Sequence, residues 1–341
     1  MSAEHQGPPP HAQVMQMMMG MWVAQAAGTA ARFNVADLIA RGTTTADAIA
    51  AAASADPSAM YRLLRACAAS GLLVETAPGS FALTPTGECL RSDAEHSLRD
   101  FLVAEMAPGH WLPWGRLYDA VRTGGPMSAE TLGVPAWEYY AKNQEEGLAF
   151  ARGMGNLSAI VAEDVARLYD ASPFRRIVDV GGSQGVLLRA LLRGAGPGAR
   201  GVLFDLPAVI DAAKEAVAAS PFADRIELVA GDFFGDVPRG GDLYALKSIL
   251  HDWDDEKALA ILRAVHRAAE PGAKLLVVET VLPGTTQPSP VAFMDLNMLV
   301  MLGGRERTAS EFAQLLRDGG FSVTKVIATG GMFQLIEARR E

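Results

Sequence analysis

From about residue 171 onward, short apolar runs alternate with longer stretches of helical period. Ile177–Val180, Gly201–Phe204, Ile226–Val229, Leu243–Leu246 and Leu275–Val278 are four-residue, mostly apolar runs. Runs of that length fit strands covered on both faces, as in a parallel sheet with helical crossovers. The amphipathic stretch Asp255–Ala269 separates two of them, and Pro271-Gly272 ends it. Phe321–Ile327 and Met332–Ala338, divided by Gly330-Gly331, predict an antiparallel hairpin appended to that sheet.

The first hundred residues follow a different rhythm. Val35–Ile39 reads as a helical turn ended by Gly42, and Thr44 or Thr45 caps a helix over Ala46–Ala53. Asp56-Pro57 opens another helix, with Met60, Leu63, Leu64 and Cys67 on one face and Gly71 as its stop. Leu72–Val74 and Phe81–Leu83 form a hairpin across Pro78-Gly79-Ser80. Three helices and a hairpin make a winged-helix pattern. Between Pro57 and Ser70, however, the only charges are Arg62 and Arg65, so this unit suits dimerisation and not DNA. The stretch Met15–Trp22 reads as a sticky amphipathic helix for a subunit contact, methionine being an adaptable packer. Residues from 97 to 170 predict helices carrying Trp111, Trp114, Tyr118, Trp137, Tyr139, Tyr140 and Phe150, a group suited to packing and to lining a pocket for a flat organic molecule. The expected domains are 13–100 for dimerisation, 101–170 as a helical linker and lid, and 171–341 as the sheet domain.

Composition narrows the function. Half of the 341 residues are hydrophobic and 20% are charged, as in a folded chain, and the length suits two domains. A net charge of -9 argues against a nucleic-acid partner. Cys67 and Cys89 are too few for a disulfide framework or a cysteine metal cage and fit reduced thiols. The Pro-rich start, Met1–His11, has no basic region followed by an apolar span, so no signal peptide or membrane helix is expected and the cytoplasm is the expected location. High Ala, Gly and Arg usage fits a GC-rich bacterial source.

Strand Ile177–Val180 breaks into Gly181-Gly182-Ser183-Gln184-Gly185, which spells Gly-x-Ser-x-Gly. A hydrolase elbow would need a preceding oxyanion segment, which is missing, and Asp179 places a carboxylate where that motif wants apolar strand. The glycine spacing does not match a dinucleotide cradle either. A nucleoside without phosphates, carrying an ammonium group, suits Asp179, Gly181 and Gly182 better. Asp205 ends the second strand 20 residues after Gly185, where it can accept from both ribose hydroxyls, and Asp232-Phe233 follows the third strand, ready to bond an adenine amino group and pack on the base. S-adenosylmethionine (SAM) is the expected cofactor. Leu250-His251-Asp252-Trp253 follows the next strand, with His251 placed to act on a second substrate.

Val178-Asp179-Val180-Gly181-Gly182, Phe204-Asp205-Leu206-Pro207, Gly231-Asp232-Phe233-Phe234, Leu246–Trp253 and Gly304-Arg305-Glu306-Arg307-Thr308 occur in that order. Together they resemble the small-molecule O-methyltransferases of plant natural-product and bacterial antibiotic pathways, over residues 15 to 338. The resemblance implies an α/β fold: a Rossmann-like, seven-stranded class I methyltransferase sheet with an N-terminal winged-helix dimerisation domain that contributes to the partner's pocket. It implies cofactor contacts at Gly181, Asp205, Leu206, Asp232, Phe233 and Lys247, His251 as general base, and Glu279 and Glu306 as the carboxylates that flank and orient it. Ser183 stands where many members have a third glycine. Met154, Asp252, Asp295, Asn297, Met298 and Met301 are the expected substrate-pocket residues.

A histidine with its ordinary pKa near 6.5 is neutral at cytosolic pH and can take a hydroxyl proton while a carboxylate fixes its tautomer. That scheme needs no metal. The acidic cluster Asp252, Asp254, Asp255 and Glu256 fits a helix N-terminus instead. The expected function is SAM-dependent methylation of a hydroxyl on an aromatic small molecule by a homodimer. A SAM-retaining hydroxylase or decarboxylase is the alternative on the same scaffold, disfavoured by the retained His251. A ligand-sensing winged-helix regulator conflicts with the acidic balance and the apolar third helix.

Overall fold

The computed structural model describes residues 8–284 and 288–341, so part of the Pro-rich start lies outside the described residues. The chain separates into two compact units, residues 1–111 with 137–157, and residues 112–136 with 158–341. The stretch 101–170, expected as a linker of its own, is thus shared between them.

In the first unit, helix Pro10–Arg32 is followed by Val35–Ala40, Ala46–Ala52 and Pro57–Ala69, then by strands β1 (Leu73–Ala77) and β2 (Ser80–Leu83). Local chemistry sets the ends. The Asp56 carboxylate accepts from Ala59 N at 2.8 Å with Pro57 in the first turn, Thr45 rather than Thr44 caps its helix, and Gly71 past the helix end and Gly79 in the hairpin turn take the left-handed conformation. Ile49, Met60, Leu64, Cys67, Leu73 and Phe81 close the core of this unit. Along the first helix the methionine face stays uncovered: Met15, Met17, Met21 and Trp22 are all exposed, Met17 by 77%.

The second unit carries strands β3 (Arg176–Val180), β4 (Arg200–Asp205), β5 (Ile226–Ala230), β6 (Leu243–Lys247), β7 (Lys274–Leu282), β8 (Arg307–Thr308), β9 (Phe321–Ala328) and β10 (Phe333–Arg340). Their order is β5-β4-β3-β6-β7-β10-β9, parallel from β5 through β7 and antiparallel at β10 and β9. The seven expected strands form this path, and two-residue β8 adds a parallel pairing to Val281 and Leu282. Alternate side chains of β3 and β7 feed two cores. Val178, Val180, Leu275 and Val277 face one, and Ile177, Leu276 and Val278 face the other. The chain runs from β3 outward to β5, then returns to β6 on the other side of β3. The crevice at the carboxyl ends of β3 and β6 is therefore the topological switch point where open α/β sheets bind ligands. No helix among the described residues is long and apolar enough to cross a membrane.

Candidate active site

The glycine turn after β3 is built for close approach. Gly181 has a φ of 69°, and a Cβ there would fall 2.5 Å from Cδ1 of Ile249. At Gly182 a Cβ would meet Cγ of Asp179 at 2.6 Å. Ser183 sits at φ 50°, a left-handed conformation that costs a non-glycine residue about 1 kcal/mol. Ser183→Gly is therefore expected to raise stability by about that amount in urea unfolding, with cofactor affinity unchanged.

Asp205 at the end of β4 anchors the turn. Its Oδ2 accepts from Ser183 N at 2.8 Å and its Oδ1 from Leu206 N at 2.7 Å, leaving each oxygen a further lone pair. The Asp232 Oδ1 accepts from Phe234 N at 2.9 Å, and the Phe233 ring meets Phe234 and Trp253 edge-on at 5.0 and 6.2 Å. Nε1 of Trp253 is buried without a partner. Asp179 is buried, accepts from Leu188 N at 3.2 Å, and is pushed up to about 7 by burial. Lys247 is half-buried; desolvation lowers its pKa against the pull of Glu279, Asp179 and Asp252. Three carboxylates at successive strand ends would repel a diphosphate. They suit hydroxyl, amino and cationic groups, and the glycine cradle with its aromatic wall fits an adenosine bearing an amino-acid tail.

The second half of the site grows from β6 and β7. After Lys247, Ser248 turns at φ 53° and Leu250–Asp252 make a single 3-10 turn. His251 Nδ1 lies 2.8 Å from Glu306 Oε1 and 3.8 Å from Glu279 Oε2, and Nε2 lies 3.4 Å from Asp252 Oδ1. The second oxygen of Glu306 accepts from the Thr280 hydroxyl. Glu279 Oε1 accepts from Ile249 N and Leu250 N at 3.0 and 2.8 Å, while its Oε2 is buried without a hydrogen bond. Both glutamates are fully enclosed.

Burial alone would lower the pKa of His251, but Glu279, Asp252 and Glu306 together raise it to about 10. Asp252 is itself raised to about 7 by its burial. Three carboxylates around one imidazole hold more negative charge than one imidazolium neutralises, so the cluster binds protons tightly. The converging carboxylates therefore favour the imidazolium and hold the histidine above its ordinary value near 6.5. A positive charge placed beside it opposes that protonation. His251, Glu279 and Glu306 also each bring one donor atom within 4.8 Å of the others, a spacing that a divalent ion could share.

The expected pocket residues divide. Asp252 faces the imidazole. Asp295 Oδ1 is spent on Glu306 N at 2.8 Å, and Asn297 Oδ1 accepts from Trp114 Nε1 at 2.6 Å, so both brace the site. Met298 is buried, and Met301 packs with Ala120, Met127, Ala136 and Val300 in a small separate core, which corrects its reading as a pocket wall. Met154 belongs to the first unit, on helix Gln144–Leu168. Thr280, Trp253 and Arg307 escaped sequence reasoning as site residues, although the last two stand inside motifs that it quoted.

Residues 114–322 match the model of the O-methyltransferase domain, and residues 15–93 that of the O-methyltransferase dimerisation domain. The chain is 38% identical to phenazine O-methyltransferase PhzM of Lysobacter antibioticus over 96% of its own length and 95% of that protein. The crystal structure of LaPhzM superposes with a TM-score of 0.93 at 37% identity, covering 98% of this chain and 100% of that one. Human N-acetylserotonin methyltransferase in complex with SAM gives a TM-score of 0.90 at 30% identity, covering 99% of each chain. With its glycine turn, acidic strand ends and histidine between glutamates, this chain belongs to the SAM-dependent O-methyltransferase family.

Proposed function

We propose that this enzyme methylates a hydroxyl of an aromatic small molecule in natural-product biosynthesis, with His251 as the general base and no metal ion. The observation that carries this reading is the pairing of His251 Nδ1 with Glu306 Oε1 at 2.8 Å, which directs Nε2 to the opposite side of the ring. Relatives named for O-demethylpuromycin, mitomycin biosynthesis and 3-amino-4-hydroxybenzoate support the class of acceptor. So does a similar structure solved with 2-hydroxy-5-methyl naphthoic acid.

SAM, when bound, supplies an electrophilic methyl group on a sulfonium. The chain supplies the rest. Asp205 and Asp232 would hold the ribose hydroxyls and adenine amino group, Phe233 would pack on the base, and Asp179 and Lys247 would face the amino-acid tail. Nε2 of His251 takes the acceptor's proton as its oxygen becomes nucleophilic, and Glu306 receives the Nδ1 hydrogen bond and stabilises the imidazolium. Orientation supplies much of the acceleration, since reacting atoms held in line avoid the entropy of encounter. His251 and Thr280 take the two oxygens of Glu306 and backbone amides take one oxygen of Glu279, which favours a proton over a metal between them.

The test is transfer of labelled methyl from SAM to a panel of hydroxylated quinones, naphthoates and phenazines, with the methylated atom located by NMR. O-methyl product is expected. Methyl on nitrogen, the chemistry named for one relative that acts on 8-amino-8-demethylriboflavin, would overturn the acceptor assignment. Product that gains a hydroxyl or loses carbon dioxide would overturn methyl transfer itself. Dialysis against EDTA is expected to leave the rate within about twofold. A loss restored by a divalent ion would place a metal at the glutamates.

The exposed methionine face of the first helix is, on this reading, the homodimer contact. Met17→Asp with Trp22→Asp is expected to shift sedimentation from dimer to monomer, because buried charge without a partner is strongly unfavourable at an interface. An unchanged dimer would move the contact elsewhere.

A further inference from the structure

Arg307 is the largest fully buried side chain among the described residues, 1% exposed, and lies outside the groups that touch the imidazole. A buried guanidinium is costly unless its donors are spent, so where they go is informative. Nε and Nη2 donate to Asp255 Oδ1 at 2.9 and 2.7 Å, Nη2 donates to the Trp253 carbonyl at 2.9 Å, and Nη1 donates to the Leu250 carbonyl at 2.8 Å. Those two carbonyls bracket His251 and Asp252. The side chain of Asp255 is 62% exposed, so the charge is balanced from the solvent side while the fork points into the turn.

The turn needs such a hold. It is one 3-10 turn, with long bonds of its own from Asp252 N to Ile249 O at 3.2 Å and from Trp253 N to Leu250 O at 3.4 Å. Neighbours do the holding. Glu279 takes the amides of Ile249 and Leu250, and Arg305 N donates to the His251 carbonyl at 2.9 Å. A Cβ at Gly304 would collide with that same carbonyl, so the strap from 304 to 308 lies directly against the turn.

We propose that Arg307 is a positioning residue for methyl transfer, a planar clamp that fixes the turn carrying His251 and Asp252 by the carbonyls at its two ends. The proposal rests on the reading of His251 as base. Lysine, a single point of charge, cannot bracket both carbonyls and bond Asp255 in one plane.

Arg307→Lys and Asp255→Asn test it in the full-length enzyme. In Arg307→Lys, amide exchange at residues 249–253 is expected to quicken by about tenfold or more while β3 and β7 keep their protection. Its kcat is expected to fall by about 100-fold, the order of effect of misplacing a reacting group by an ångström, with KM and Kd for SAM within about threefold. Asp255→Asn, at an exposed position, should lower kcat by about three- to tenfold, and the double variant should be no slower than Arg307→Lys alone. Unchanged exchange in the turn, a kcat within twofold of wild type, or independent multiplication of the two effects would each overturn the clamp. If Arg307→Lys does not fold, Asp255→Asn decides: wild-type exchange and turnover in that variant overturn it. Wild-type enzyme that binds SAM but methylates no acceptor would instead overturn the role of His251. The exchange measurement still decides whether Arg307 holds the turn.

Discussion

Replacing His251 with alanine is expected to lower methyl transfer by about 10³- to 10⁴-fold while the Kd for SAM stays within about threefold. General-base removal costs about 10² to 10⁴ in rate, and the upper part of that range applies because the base is also the end of an orienting pair. Cofactor affinity is spared because most of its proposed contacts lie at the glycine turn, Asp205 and Asp232, on other strands, and Lys247 is held in β6 ahead of the turn that carries His251. Alanine also leaves two buried carboxylates and half-buried Asp252 without their imidazole, so His251→Asn serves as the better-tolerated partner variant. Isothermal titration with SAM and single-turnover assays on both variants separate binding from chemistry. Turnover near wild type in both would remove the base assignment and leave the acceptor to ionise without help.

The central strands were legible because they are buried on both faces, and that writes them as apolar runs. Arg176–Val180 and Leu243–Lys247 each extend their expected strand by one residue. β7 continues to Leu282, four residues past the expected end, because Glu279 and Thr280 are polar and fully buried and so broke the apolar run. Those two residues are where the sheet meets His251 and Glu306, so the polarity that points to the candidate site hides the strand in the same place. The glycine turn announced itself by composition, whereas the left-handed Ser183 and Ser248 left no signal in residue type. β8 was out of reach for another reason: two residues have no periodicity, and its pairing to Val281 and Leu282 is set by the fold around it. The motif around Glu306 could be quoted without showing what Arg307 holds. Met301 was misread as a pocket wall because an apolar residue on a helix near the site carries no mark of which side it faces. Shifts in proton affinity follow from how many carboxylates converge on a point, and chain order does not show that convergence.

The pH dependence of Glu306→Gln exposes that convergence directly. In the wild type the carboxylates raise His251 to about 10, so the neutral imidazole, and with it kcat/KM, is expected to keep rising through pH 9. Glutamine keeps a hydrogen-bonding group beside Nδ1 but removes one of the charges holding the proton, so the rising limb should move to lower pH by at least one unit. Its plateau should be lower by about 10²-fold, because the imidazolium formed during the reaction loses its stabilising carboxylate. Stability moves with the same proton. His251 has a folded pKa above its unfolded value near 6.5, so its contribution is fully present below that value and is lost as pH rises through about 10. In Glu306→Gln the loss should be complete at a lower pH, and the melting temperature should become flat with pH sooner than in the wild type. Paired pH profiles of kcat/KM and of thermal unfolding make the check. A rising limb at the same pH in both proteins would mean that Glu306 does not govern the proton on His251, and Glu279, 3.8 Å from the same nitrogen, would inherit the role.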